Sequence, residues 1–183
     1  SEDVEEEEYD EHVWLSLRNA CVVCEALTQA LSQLDPANTS YYESNLDRYL
    51  ELLSLLDAEY QSTLASASQN TLLFGDRFPF RYLTEDYGLD YYAAFSGCSA
   101  ETEASFETVA FLARKVDELG LSCVLTIDGS DGSLAETIVQ STDTKDQQIL
   151  TLDSLQSVDS GDFDTTYLSV MRQNLEVLKS ALG

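Results

Sequence analysis

The sequence predicts an α/β fold: a four-stranded, mostly parallel sheet flanked by helices and preceded by one long helix. Three observations carry this. After residue 70, short apolar runs of strand type alternate four times with stretches of helical period. The segments between those runs are long enough to be crossover helices, which is how parallel strands are joined. Residues 41–67 keep helical spacing with no Pro or Gly among them.

The elements follow in order. The chain opens in SEDVEEEEYDE, a run of like charge that reads as a solvated, flexible loop over residues 1–11. An apolar helical stretch follows from about Leu15 to Leu34, and Asp35-Pro36 with Asn38, Thr39 and Ser40 breaks it. Residues 12–40 therefore form one helical unit. In the long helix, over residues 41–69, Leu46, Leu50, Leu53, Leu56, Tyr60 and Leu64 step by four, three, three, four and four. At the helical rise such a helix spans about 40 Å, more than one small lobe requires, so it is expected to be a strut between lobes.

Residues 70–183 make the α/β lobe. Strands are expected over Thr71–Phe74, Leu89–Phe95, Ser122–Ile127 and Gln148–Leu152. Helices are expected over Phe80–Tyr87, closed by Gly88, from Phe106 to Leu119, ending at Gly120, over Leu134–Val139, and finally through Leu168, Met171, Leu175, Leu178 and Leu182.

Composition narrows the function. Nine basic residues stand against 34 acidic ones, for a formal charge of −25. Nucleic-acid binding needs clustered Lys and Arg and is excluded as a leading function. At 44% hydrophobic, the 183 residues can build a real core. No apolar run approaches the roughly 20 residues of a membrane helix. No signal peptide opens the chain, and its acidic start is expected to be the middle of a loop in a longer protein. Cys21 and Cys24 form a C-x-x-C within the first helical run. With no second pair and no histidine nearby they do not make a zinc knuckle, and they read as small buried residues.

In parallel sheets, ligands sit at the carboxyl ends of the strands. Those ends are Gly75-Asp76-Arg77, Ser96-Gly97-Cys98-Ser99, Asp128-Gly129-Ser130-Asp131 and Asp153-Ser154. Polar and Gly-rich chemistry is concentrated there. Ser99, Ser130 and Asp131 read as helix caps and turn formers.

The segment Asp10-Glu11-His12-Val13-Trp14-Leu15, followed by a helix, resembles the D-x-H-x-W-L motif of the zinc- and manganese-binding proteins of ABC importers. Four further stretches are similar to that family in the right order: FGDRFPFRYLTEDYGL, CSAETEAS, SCVLTIDGSDGSLAETI, and ILTLDSL with the closing helix DTTYLSVMRQNLEVLKSAL. The resemblance covers nearly the whole chain from Asp10 onward.

The resemblance implies an extracytoplasmic binding protein, in the periplasm or anchored at the cell surface. It would capture zinc or manganese between two lobes and deliver it to ABC permease subunits, without catalysis. It implies His12 and Asp153 as metal ligands, with Asp128 as a donor or a supporting residue. The family's third ligand, a His or Glu, falls at Arg77, whose guanidinium cannot coordinate a cation. Asp76 beside it is the substitute donor, and Cys98 a conceivable soft one. The resemblance further implies that the N-terminal lobe is missing, so apolar side chains near Val13, Trp14 and the first helix should be exposed and the chain should self-associate. Two alternatives remain: a degenerate member acting as an adhesin or sensor without metal, and an Mg²⁺-dependent enzyme using Asp76, Asp128 and Asp153. Against the enzyme, the sequence has neither a phosphate-binding G-x-x-x-x-G-K-[ST] loop nor a G-x-S-x-G elbow.

Overall fold

The computed structural model describes residues 10–96, 104–157 and 165–183. A short 3-10 turn, Val13–Leu15, leads into α1 (Leu17–Leu34), and a second, Pro36–Asn38, leads into α2 (Thr39–Ala65). Then β1 (Thr71–Phe78), α3 (Arg81–Tyr87), β2 (Asp90–Ser96), α4 (Phe106–Leu119), β3 (Cys123–Ile127), α5 (Ser133–Gln140), β4 (Gln148–Leu152) and α6 (Tyr167–Leu182) follow. The strands lie in the order β2-β1-β3-β4, and every pair is parallel.

Alternation along the inner strands builds two cores. Leu72 and Phe74 point to one face, where α1, α2, α3 and α6 pack, while Leu73 points to the other, against α4 and α5. On β3, Cys123 and Leu125 share the first core and Val124 the second. A sheet covered on both faces calls for such continuously apolar strands. Burial pushes the Cys123 thiol up to about 11, so it is inert at neutral pH.

The unbroken period over residues 41–67 appears as the 27-residue α2. Its C-terminal half enters the first core through Leu53, Leu56, Tyr60 and Leu64, and the Tyr60 hydroxyl donates to the Met171 carbonyl at 2.6 Å. Arg18 on α1 stands 3.6 Å from both Asp57 on α2 and Asp86 on α3, tying the three helices together.

Two expectations are corrected. The first strand does not stop at Phe74. It runs to Phe78 across a register shift between Phe74 and Arg77, so Asp76 and Arg77 lie within an irregular strand rather than in a turn after it. Cys21 and Cys24 are half-buried rather than buried. They lie along the packed side of α1, while Val23, Leu27, Leu31 and Leu34 form a stripe on an exposed side, with Leu34 84% exposed. The predicted apolar exposure near the first helix is therefore present. Val13 is also exposed, and Trp14 is half-buried.

Candidate metal centre

The irregular stretch of β1 and the residues that follow β3 line one open cleft of about 430 Å³. Asp76, Arg77, Asp128 and Ser154 are among its lining residues. Asp76 Oδ1 accepts the backbone N–H of Arg77 at 2.8 Å. Asp128 Oδ1 accepts both the backbone N–H and the hydroxyl of Ser154, each at 2.6 Å. The second oxygens, Asp76 Oδ2 and Asp128 Oδ2, are buried and have no hydrogen-bond partner among the described residues. Burying bare carboxylate oxygens is costly, and a bound cation relieves that cost. Arg77 brings the only guanidinium into this lining and makes no ion pair among the described residues.

His12 lies in the turn before α1 and is buried, with 1% exposure. Its Nδ1 is 2.7 Å from Asp10 Oδ1, which also accepts the His12 backbone N–H at 2.9 Å. A carboxylate against one ring nitrogen is the pairing that orients metal-binding imidazoles. Asp10, Glu11 and His12 each offer a donor atom, and the three lie within 4.8 Å of one another.

Asp153 follows β4 and is held from both sides. Its backbone N–H donates to Asn174 Oδ1 at 2.9 Å, and Asn174 Nδ2 donates back to its carbonyl at 2.8 Å. Its carboxylate Oδ1 accepts the N–H of Leu155, whose backbone sits in the left-handed region at φ 57°. Such a conformation is costly for a branched side chain and persists where surrounding bonds over-determine it.

The structure thus brings Asp76, Arg77 and Asp128 to one cleft and gathers Asp10, Glu11 and His12 in a second group. Asp153 lines neither the cleft nor that donor group among the described residues. Cys98 lies outside the described residues. Imidazole and carboxylate donors are of the type zinc and manganese accept. Arg77 is the one feature that opposes a cation. Sequence reasoning did not assign roles to Asp10, Glu11 or Asn174. Asp10 carried a signal, since D-x-H spacing lets the carboxylate fold back on the imidazole.

The sequence profile of ZnuA, described as zinc-uptake complex component A, periplasmic, matches residues 1–181. The zinc-binding lipoprotein AdcA of Streptococcus pneumoniae serotype 4 is 32% identical over 172 residues, 94% of this chain and 34% of that protein. The high-affinity zinc uptake system protein ZnuA of Bacillus subtilis is 30% identical over 173 residues, 94% of this chain and 53% of that protein. The chain therefore spans from a third to about half the length of these relatives. Among solved structures, the Zn(II)-bound ZnuA-like domain of Streptococcus pneumoniae AdcA superposes with a TM-score of 0.78 at 30% identity, covering 98% of this chain and 66% of the other. The laminin-binding protein Lmb of Streptococcus agalactiae, described as bifunctional with adhesin and metal-transporting activity, gives 0.83 at 26% identity, covering 96% and 65%. The two relatives are named for zinc binding and zinc uptake. With its parallel four-stranded sheet, its donor-bearing rim and a match over nearly its full length, the chain belongs to the ZnuA family of metal-binding substrate-binding proteins.

Proposed function

We propose that this chain is part of the extracytoplasmic binding component of an ABC importer and takes zinc as its cargo, delivering it to the permease. The observation that carries the reading is the buried His12 imidazole. Asp10 holds the Nδ1 edge of the ring at 2.7 Å, the carboxylate–histidine pairing that orients metal-ligating imidazoles. The bare oxygens of Asp76 and Asp128 and the locked Asp153 turn supply further oxygen donors at the same sheet rim. The zinc-binding names of the relatives favour zinc over manganese, although the donor types suit both. Asp153 adds a carboxylate to the ion's coordination in this reading, and closure of a second lobe over the ion completes it.

The test is calorimetric titration with Zn²⁺, repeated with His12→Ala. The 183-residue chain is expected to bind weakly, since a closed zinc site uses about four donors, and His12→Ala is expected to abolish that binding. Nanomolar binding left unchanged by His12→Ala would place the metal on other groups.

The bilobal arrangement is likewise a proposal. The stripe Val23, Leu27, Leu31 and Leu34 on α1 suits a packing surface, and α2 suits a strut to a second lobe. In this chain the stripe faces solvent, so reversible self-association is expected in sedimentation velocity as concentration rises. Leu27→Glu together with Leu31→Glu is expected to abolish it. A wild-type chain that stays monomeric at every concentration removes the packing-surface reading.

A further inference from the structure

The two candidate ligands His12 and Asp153 come from opposite ends of the chain, yet a continuous set of bonds joins them. The 3-10 turn that carries His12 is only three residues long and has no side-chain cap. So short a turn has little stability of its own, and tertiary bonds decide where it sits. Three such bonds come from later elements. The Trp14 indole N–H donates to the Ser154 carbonyl at 3.0 Å. The Tyr167 hydroxyl donates to the Trp14 carbonyl at 2.7 Å, and the Tyr82 hydroxyl donates to the Asp10 carbonyl at 2.9 Å.

Ser154 is the junction. It follows Asp153 directly and is 1% exposed. Its N–H and hydroxyl both close on Asp128 Oδ1, which fixes the residue whose carbonyl receives Trp14. Asn174, also 1% exposed, fixes the preceding residue, Asp153, through both its N–H and its carbonyl. The Trp14 ring in turn stands against the His12 imidazole, with centroids 5.3 Å apart.

We propose that Asp128, Ser154 and Trp14 form a positioning chain that sets His12 against the Asp153 turn; as a statement about metal capture it rests on the function proposed above. Asp128 acts here through Oδ1 as a positioning residue, whatever its Oδ2 meets in the cleft. The chain converts two ligands distant in sequence into one preorganised pair, because neither the turn nor the left-handed Leu155 corner would hold its place alone.

Trp14 is the chain's single tryptophan and so reports on its own bond. The experiment compares tryptophan emission and acrylamide quenching, without metal, in wild type, Asp128→Ala, Asp128→Asn and Ser154→Ala. Zn²⁺ titration of each protein follows. Asp128→Ala removes the acceptor and is expected to red-shift Trp14 and raise its quenching. Ser154→Ala removes one of the two bonds and is expected to shift it less, in the same direction. Asp128→Asn keeps an acceptor oxygen and is expected to leave the emission at its wild-type position. Zinc affinity is expected to fall by about tenfold or more in Asp128→Ala, and by less in Asp128→Asn.

Unchanged emission in all the variants overturns the proposal. So does a shift in Asp128→Asn equal to that in Asp128→Ala, since charge and not the acceptor would then be responsible. Should Asp128→Ala fail to fold, Ser154→Ala decides alone. If the emission responds as expected while wild type binds no zinc, the positioning chain stands and the metal reading falls.

Discussion

Arg77→His is expected to tighten zinc binding by at least about tenfold. Arg77 lines the cleft that holds the bare oxygens of Asp76 and Asp128. Its guanidinium has no lone pair to offer, and it stays protonated. At an effective dielectric of about 20, unit charges about 6 Å apart interact by roughly 3 kcal/mol, and an open cleft screens part of that. Retaining half still leaves about 1.4 kcal/mol of repulsion, a factor of about ten. Histidine removes the repulsion and adds a neutral nitrogen donor. Arg77→Gln separates the two effects, because it removes the charge without adding an imidazole, and its gain should be smaller. Competition against a chromogenic zinc chelator measures both. If neither variant binds more tightly than wild type, Arg77 does not oppose the ion and the cleft is not where zinc sits.

In this chain, Arg77 also supplies a cation near two carboxylates that otherwise have none among the described residues. If the site holds zinc as proposed above, that charge would stand in for the metal in the empty site, and a site balanced in this way would release its ion more readily.

Much of the fold was legible because its punctuation is chemical. Gly88 and Gly120 close α3 and α4 in the left-handed conformation, at φ 67° and 63°, and each stands where the helical period stops. The strand Gln148–Leu152 and the end of α4 fall where alternation and period place them. The extension of β1 was hidden. Polar Asp76 and Arg77 break the apolar run, but the backbone goes on pairing, Arg77 with Phe95 and Phe78 with Ser96, past an irregularity that periodicity does not record.

The candidate site was legible as a list and not as an arrangement. His12 could be found from its motif, and Asp76, Asp128 and Asp153 from both motif and strand ends. What joins them lies in bonds between residues 21, 26 and 140 positions apart: Asn174 to Asp153, Ser154 to Asp128, and Trp14 to Ser154. A local pattern carries no trace of such pairs. Asn174 reads as one polar residue in an amphipathic helix, yet it is buried and makes two bonds to the backbone of one residue, Asp153.

Gly75→Ala is expected to destabilise the protein by roughly 1–3 kcal/mol, and Gly75→Val by more. A Cβ at Gly75 would lie 2.7 Å from Ala135 Cα, 2.9 Å from Ala135 Cβ and 3.0 Å from Ala135 N. Two of these atoms belong to the backbone of α5, so no rotamer change makes room. Ala135 is fully buried and packs in the second core with Leu73, Val124 and Ile138. Relief therefore requires α5 to move off β1, which loosens that core and shifts the adjacent Asp76. Urea unfolding should show a lower midpoint with an unchanged slope, and the melting temperature should fall by about 2–4 °C per kcal/mol for a domain of this size. Adding Ala135→Gly removes only the 2.9 Å contact and leaves the two backbone contacts. The double variant should accordingly recover little stability. A Gly75→Ala protein within about 0.5 kcal/mol of wild type, the range of neutral surface changes, would mean that α5 yields at no cost and that the close approach does not fix the cleft.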